Sequence, residues 1–135
     1  MMLTIGLVGC GKGKLERAAR ARDLYTGALF RKASAYCSAN YAVWFILSAK
    51  HGILEPNEVI DPYDLSLKDM PLAARQTWAH RVLKQIDERG LSEGKFYIHA
   101  GERYSEHPEP SLNSERLLRG LSIGKQLAWY NSRGF

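Results

Sequence analysis

Hydrophobic residues gather in three short runs along the chain, and each run predicts a buried β-strand. The runs cover residues 3–8, 43–47 and 95–100. The first two are apolar and rich in β-branched or aromatic side chains, and all three stop at small, turn-forming residues. Runs of this length and composition are typical of buried strands. Together they predict the strands of one small sheet.

Apolar residues at helical spacing predict two helices between these strands. The clearer one covers residues 71–89, where Pro71 stands at the first position, one side is apolar and Gly90 follows the last turn. Proline is favoured at the start of a helix and glycine just after its end. A second helix is predicted from Asp23 to about Asn40. The other predictions are a long loop with one short helical turn over residues 53–70, and short helical patterns around residues 115–119 and 124–130.

The alternation of strands and helices predicts the fold class. Strand–helix–strand units place helices on both faces of a mainly parallel sheet. The chain has 135 residues, close to the commonest domain size, and it contains no linker-like or repeated segment. The sequence therefore predicts a single α/β domain over residues 1–135, with a small, mainly parallel sheet flanked by helices.

Composition excludes several classes of protein. Hydrophobic residues make up 45% of the chain, with 12 Gly and 5 Pro, so a disordered or collagen-like chain is excluded. Two cysteines cannot cross-link a small secreted scaffold, and the cysteines and histidines show no metal-ligand spacing. The apolar run at residues 43–47 is far shorter than the roughly 20 residues that span a bilayer. We expect a cytoplasmic protein without membrane contact, metal or cofactor.

The basic surplus is concentrated in one part of the chain. The formal net charge is +5, and residues 11–32 alone contain seven basic and two acidic side chains. Residues 55–69, by contrast, contain five carboxylates. A concentrated surplus favours a local phosphate-binding pocket over extended contact with nucleic acid. The alternative is a solvated surface whose charge serves solubility alone.

Each predicted strand ends in a short turn that carries polar or charged residues. The three turns read GCGKGK at residues 9–14, SAKHG at residues 48–52 and HAGERY at residues 99–104. In open α/β sheets, the carboxyl ends of neighbouring strands border the ligand crevice. We therefore expect one pocket that contains Cys10, Lys12, Ser48, Lys50, His51 and Tyr104.

The glycine–lysine turn at residues 9–14 favours an anion. Its glycines expose backbone N–H groups and its lysines add positive charge, as in known kinds of phosphate site. Its spacing matches neither the Walker motif nor the dinucleotide-binding fingerprint. We therefore expect a single phosphate or a nucleotide rather than NAD or ATP.

Three residues have the chemistry of a catalytic group. Lysines close to Cys10 in sequence favour the reactive thiolate, and the alternative is a small residue packed under the turn. Lys50 beside His51 favours a neutral imidazole that can act as a base, unless this histidine only completes the turn. Asp64 lies in a proline-containing loop and could orient a water or stabilise a cationic sugar. Its neighbour Tyr63 could stack on a base or be held against the core.

These residues belong to a pattern that resembles a known family of small, largely uncharacterised bacterial and phage domains. The parts of the pattern are Cys10-x-Lys12-x-Lys14, Ala21-x-Asp23-Leu24-Tyr25-x-Gly27-x-x-Phe30, Ser48-Ala49-Lys50-His51-Gly52-Ile53-Leu54 and Tyr63-Asp64. This family is distantly similar to the glycosylase-like domain of archaeosine synthase and, through it, to the uracil-DNA glycosylase superfamily. The match covers the first half of the chain, and in the second half it includes His99-Ala100-Gly101-x-x-Tyr104.

The resemblance implies a Rossmann-like three-layer core and a nucleobase or nucleotide ligand. Asp61-Pro62-Tyr63 matches the tripeptide whose aspartate handles the attacking water in uracil-DNA glycosylases. Here the tripeptide follows the second strand rather than the first, and no His-Pro-Ser-Pro segment comes after it. We therefore do not assign Asp61 a catalytic role on the basis of this tripeptide.

Two functions from different classes follow from the sequence. The leading hypothesis is a glycosylase-like enzyme that acts on the base–sugar bond of a nucleotide or nucleic acid, by hydrolysis or base transfer. The alternative is a non-catalytic accessory protein, of phage or bacterial origin, that binds a nucleotide or nucleic acid. The predicted catalytic residues are Asp64, His51 and Cys10. The predicted ligand-binding residues are Gly11, Lys12, Lys14, Tyr25, Ser48, Lys50, Tyr63, Gly101 and Tyr104.

Overall fold

A mainly parallel, five-stranded sheet forms the centre of the computed structural model, which describes residues 2–135. The strands are β1 (Thr4–Gly9), β2 (Ala19–Arg20), β3 (Val43–Ser48), β4 (Gly52–Leu54), β5 (Val59–Ile60), β6 (Lys95–His99) and β7 (Ser114–Glu115). Their order in the sheet is β4-β3-β1-β6-β7, and β4 alone is antiparallel to its neighbour. Strands β2 and β5 pair separately as a short antiparallel ribbon.

The helical elements connect these strands. The helices are α1 (Ala21–Leu24), α2 (Ala28–Asn40), α3 (Leu72–Glu88), α4 (Glu102–Ser105) and α5 (Ile123–Ser132). Two short 3-10 turns cover Leu67–Asp69 and Glu109–Ser111. Within residues 2–135, no helix has the length and apolar character needed to cross a membrane.

Each face of the sheet has its own hydrophobic core. Ile5 and Leu7 of β1 pack in the core that also contains Val82 of α3. Val8 of the same strand packs in the second core, together with Phe30 of α2. Successive residues of a strand point to opposite faces, so the apolar runs of the central strands supply both cores. The predicted α/β class, a mainly parallel sheet flanked by helices, is confirmed.

Helix α2 lies directly against the central strand β1 because residue 6 is glycine. A Cβ atom at Gly6 would stand 2.7 Å from Cδ2 of Tyr41 and 3.0 Å from both Cβ and Sγ of Cys37. Contacts this short would force the neighbouring groups to move. The glycine therefore sets the distance between the helical layer and the sheet.

The prediction of one helix from Asp23 to about Asn40 is confirmed for Ala28–Asn40 and wrong at its start, because the chain is extended between α1 and α2. Tyr25 ends α1 in the extended region and pairs with Lys14 in an isolated antiparallel bridge. The N–H of Thr26 donates to the carbonyl of Gly13 at 2.9 Å. These backbone bonds replace helical ones, and they hold the glycine–lysine turn against the chain around Tyr25.

Two further predictions of local structure need correction. The helical pattern predicted around residues 115–119 is wrong, because Ser114–Glu115 pairs in parallel with β6 as the edge strand β7 and residues 117–120 form a turn. The predicted loop over residues 53–70 contains the edge strand β4 and strand β5, besides the expected short helical turn. Both strands have only two or three residues, too few for a hydrophobic period to reveal them.

Candidate functional site

The carboxyl ends of β1 and β3 are joined at one point of the sheet. The N–H of Cys10, just after β1, donates to the carbonyl of Leu47 in β3 at 3.0 Å. Around this junction lies a group of thiol and hydroxyl side chains that we call the tyrosine cluster. Its members are Cys10, Tyr25, Ser48, Tyr63 and Tyr104. All five residues are among those predicted from the sequence.

The hydroxyl of Tyr63 lies at the centre of this cluster. It is 2.5 Å from the hydroxyl of Tyr25 and 2.7 Å from Oγ of Ser48. Oγ of Ser48 also accepts a hydrogen bond from the N–H of His51 at 3.2 Å. Because Ser48 and Tyr25 are fully buried, they fix the position of the half-buried Tyr63 ring.

The turn after β6 contributes Tyr104, the third tyrosine of the cluster. The thiol of Cys10 donates to the Tyr104 hydroxyl, with a sulfur–oxygen distance of 3.4 Å. The Tyr104 ring packs edge-on against Trp78 of α3, with 5.7 Å between the ring centres. The indole N–H of Trp78 donates to the carbonyl of Ser48 at 2.8 Å. One tryptophan therefore supports two strand ends from the α3 side.

All three tyrosines of the cluster are protonated at neutral pH. Burial raises the pKa of Tyr25 to about 12, although the hydrogen bond from Tyr63 opposes the change. Burial also raises the pKa of Tyr63 and of Tyr104. A protonated phenol donates hydrogen bonds and does not act as a base. The cluster therefore offers hydroxyl donors to a ligand.

Lysine ammonium groups surround the Tyr63 ring. Nζ of Lys14 is 4.7 Å from the centre of this ring and 5.6 Å from the centre of the Tyr25 ring. Nζ of Lys50 is 5.9 Å from the Tyr63 ring centre. Neither lysine forms an ion pair with any carboxylate in residues 2–135. Their positive charge is therefore available to an anionic ligand.

His51 lies beside the same ring. Its imidazole contacts Tyr63 edge-on, with 5.5 Å between ring centres, and its buried Nε2 has no hydrogen-bond partner in the described part of the chain. Burial lowers the pKa of His51, the charges of Lys50 and Arg81 lower it further, and the charge of Glu58 opposes them. The imidazole is therefore neutral at pH 7 and can accept a proton.

Helix α3 holds the turn that carries Lys50 and His51. The amide of Gln85 donates to the carbonyl of His51 at 3.0 Å, and its oxygen accepts from the N–H of Ile53 at 2.8 Å. Arg81 donates to the carbonyl of Lys50. Gly52 has a φ of +79°, and any side chain at this position would overlap the Gln85 amide. Two side chains of α3, those of Gln85 and Arg81, therefore hold the turn in place.

Replacing Gln85 by Leu is expected to lower the free energy of unfolding by about 1–3 kcal/mol, because a backbone donor and a backbone acceptor lose their partner. Urea unfolding followed by circular dichroism measures the change. The control is Gln76→Leu, which removes an exposed glutamine from the same helix. Equal stability of the two variants would contradict the proposed support of the turn.

Four predicted site residues lie outside these contacts. Lys12 is exposed, and its carbonyl accepts a hydrogen bond from Lys14 at 3.3 Å. Gly101 is exposed at the start of the four-residue helix α4, and Gly11 has open space where a side chain would stand. Asp64 is exposed and forms no hydrogen bond or ion pair within residues 2–135. Their functional roles stay predictions.

Sequence reasoning missed the residues that support the site. Gln85 follows Trp78 by seven positions on α3, so it lies on the buried side of the helix. A polar residue on an apolar stripe is the signal that could have revealed it. Arg116, just after β7, donates to the carbonyl of Ala100 at 3.1 Å and to Glu102 at 2.8 Å. The edge strand that positions Arg116 has no visible pattern in the sequence.

His99, at the end of β6, bonds to two tyrosines that are not members of the tyrosine cluster. Its Nε2 bonds to the Tyr41 hydroxyl and its Nδ1 to the Tyr130 hydroxyl, both at 2.8 Å. Burial lowers its pKa to about 4, so the ring is neutral and both nitrogens are occupied. We therefore assign His99 a structural role between α2 and α5.

No group of three or more His, Cys, Asp or Glu side chains in residues 2–135 is arranged to hold a metal ion.

A family model described as a family of unknown function, DUF6884, matches residues 5–132. The chain belongs to the DUF6884 family. No curated protein matches it in sequence. Because the matched range includes every member of the tyrosine cluster, the site lies within the DUF6884 domain.

Proposed function

We propose that this DUF6884 domain is a glycosylase-like enzyme that binds a nucleotide at the tyrosine cluster and hydrolyses its base–sugar bond. One observation carries the proposal: unpaired lysines, protonated hydroxyls and a neutral histidine surround the same ring, that of Tyr63. This hydrolysis needs positive charge to bind the phosphate, hydrogen-bond donors to orient the substrate and a base to activate water.

The lysines are suited to a phosphate group. Lys14 and Lys50 supply charge on the two sides of the junction between β1 and β3, and the exposed Lys12 adds a third cation on the glycine–lysine turn. Hydrogen bonds between a charged group and its partner contribute more to affinity than those between neutral groups. The phosphate would therefore fix the nucleotide relative to the cluster.

Tyr63 is better placed than Tyr104 to contact a nucleobase. Tyr104 is 8% exposed and packs edge-on against Trp78, so little of its ring is open to a ligand. The Tyr63 ring is only half-buried and lies on the loop between β5 and the 3-10 turn at Leu67–Asp69. A tyrosine face gives a base an aromatic surface of low conformational entropy.

His51 is the residue that we propose as the base. Its Nε2 is buried and has no hydrogen-bond partner among residues 2–135, so ligand binding must first open a path for water to this atom. The nitrogen then takes a proton from a water molecule as the water oxygen forms a bond to C1′ of the sugar. The bond from C1′ to the base nitrogen breaks, and its electron pair leaves with the nucleobase. A neighbouring ammonium stabilises the negative charge that develops on the leaving base until a proton neutralises it. Water is the only co-reactant, and the products are the free base and the sugar phosphate.

Base release tests this proposal directly. The full chain is incubated with the common nucleoside 5′-monophosphates and with single-stranded DNA, each radiolabelled in the base, and free base is separated by chromatography. We expect release from at least one substrate, and release that also survives Cys10→Ser would exclude a thiol nucleophile. Absence of free base from every substrate would overturn the enzymatic proposal.

The second candidate function is binding without chemistry. It is favoured by the mutual hydrogen bonds of Tyr25, Tyr63 and Ser48, because these hydroxyls already have partners within the protein. In that case ligand binding is lost in the double variant Lys12→Ala and Lys14→Ala, and it is unchanged in His51→Gln and Asp64→Asn.

A further inference from the structure

We propose that the natural ligand of the tyrosine cluster is a nucleoside 5′-monophosphate and not a polynucleotide. This inference rests on the proposed function and names the substrate class of the same site. It follows from the charged side chains around the cluster. In the sequence the basic residues are concentrated in one segment, but in the fold several of them are paired with acidic or aromatic side chains.

The basic segment is joined to an acidic segment next to the cluster. Besides the pairing of β2 with β5, the N–H of Ala21 donates to the carbonyl of Glu58 at 2.7 Å, and that of Arg22 to the carbonyl of Pro56 at 2.9 Å. We call residues 16–23 and 55–61 together the charged ribbon. It contains three basic and five acidic side chains, so it carries a net negative charge.

The arginines of the charged ribbon are also engaged within the protein. Arg20 forms an ion pair with Asp23 at 3.0 Å. The guanidinium of Arg22 lies 5.9 Å from the centre of the Trp44 ring. An exposed pair of this kind adds little stability, but it reduces the potential that a phosphate outside the cluster would meet. Arg17 is the remaining basic side chain of the ribbon.

A second basic group near the C-terminus consists of Arg116, Arg119, Lys125 and Arg133, and the side chains of its three arginines are engaged within the protein. Arg116 is paired with Glu102 at 2.8 Å, and Arg119 is paired with Glu109. Arg133 lies over the ring of Trp129, with 3.6 Å from its guanidinium carbon to the ring centre. Lys125 is exposed and forms no ion pair within residues 2–135, and a single lysine does not make a row of cations leading away from the site.

Two lysines without an ion pair in the described part of the chain, Lys14 and Lys50, thus lie at the cluster, and the charged ribbon beside it carries a net negative charge. A nucleic acid strand brings phosphates at regular spacing, and its binders need a row of basic side chains to follow them. A strand that followed the charged ribbon would bring its phosphates to Glu55, Glu58 and Asp61, which are exposed. A phosphate monoester carries close to two negative charges at pH 7, and Lys14 and Lys50 can match them without a longer track.

The test compares three probe classes by isothermal titration calorimetry on the full chain. The probes are the common nucleoside 5′-monophosphates, the matching nucleosides and a mixed-sequence single-stranded oligodeoxynucleotide. We expect at least one monophosphate to bind about 10- to 100-fold more tightly than its nucleoside. Lys14→Ala should abolish this preference, and Arg17→Ala should leave it unchanged.

For the oligonucleotide, log K against log salt should have a slope shallower than about −2, because single strands give about −0.7 for each phosphate contacted.

Three other outcomes are possible, and each would overturn either this inference or the proposed catalysis. Tighter binding of the oligonucleotide than of any monophosphate, weakened by Arg17→Ala, would overturn the inference and leave base release from DNA intact as a function. No preference for a monophosphate over its nucleoside would also overturn it. Monophosphate binding without base release would instead overturn the proposed catalysis and leave a nucleotide-binding site.

Discussion

His51→Gln is expected to lower the rate of base release by about 10²- to 10⁴-fold, the usual contribution of a general base. Glutamine preserves the size and polarity of the side chain but cannot accept a proton from water. Because burial lowers the pKa of His51, the wild-type rate should be constant around neutral pH and should fall in acid, where the imidazole becomes protonated. Rates of base release between pH 4 and pH 8 measure both effects.

Two variants give the controls for this experiment. His80→Gln removes an exposed histidine of α3 that lies outside the cluster, and it should leave the rate unchanged. Asp64→Asn tests the other base candidate. A large loss of rate in Asp64→Asn, with a small one in His51→Gln, would show that the aspartate activates the water and that the assignment of His51 is wrong.

His99→Gln is expected to remove a large part of the acid sensitivity of the fold. The buried ring has a pKa of about 4, against 6.5 for an ordinary histidine, so the unfolded chain binds more protons than the folded chain between these values. The free energy of unfolding therefore falls as the pH decreases from 6.5 to 4, by about 3 kcal/mol from this residue alone. Above pH 6.5 the residue contributes no pH dependence.

Urea unfolding of both proteins at pH 7 and pH 4 isolates this contribution. Carboxylates titrate in the same interval, but they are common to both proteins, so the difference between the two pH-induced losses belongs to His99. Glutamine can still bond to one of the two tyrosine hydroxyls, Tyr41 or Tyr130, which favours a folded variant. An equal pH-induced loss in the two proteins would mean that protonated His99 is tolerated in the core.

The parts of the fold that depend on long apolar patterns could be predicted from the sequence. Strands β1, β3 and β6 and helix α3 each contain enough buried positions for their period to be recognised. The edge strand β7 and the ribbon of β2 and β5 have two residues per strand, so backbone pairing alone defines them. Backbone pairing also explains the break before α2. Tyr25 pairs with Lys14 in a β-bridge, and the helix propensities of the local residues do not indicate this pairing.

The members of the site could be predicted because its three parts all follow strands. Parallel order brings Cys10, Ser48 and Tyr104 together once the neighbours of β1 are known. The sequence does not contain the information that Tyr63, fifteen residues after Ser48, returns to bond with it at 2.7 Å. Nor does it show that the charge of residues 11–32 is partly opposed by that of residues 55–61, because this opposition arises from the pairing of β2 with β5.

The antiparallel edge strand β4 holds one wall of the site in place. Since β4 pairs with β3 immediately after the SAKHG turn, and Gln85 holds that turn from behind, Lys50 and His51 lie on a rigid wall. The opposite wall is the segment that brings in Tyr63, and its attachment to the cluster is through side-chain hydroxyls. We therefore expect a bulky ligand to displace the Tyr63 side chain before it displaces the SAKHG turn, because only side-chain bonds hold this tyrosine in the cluster.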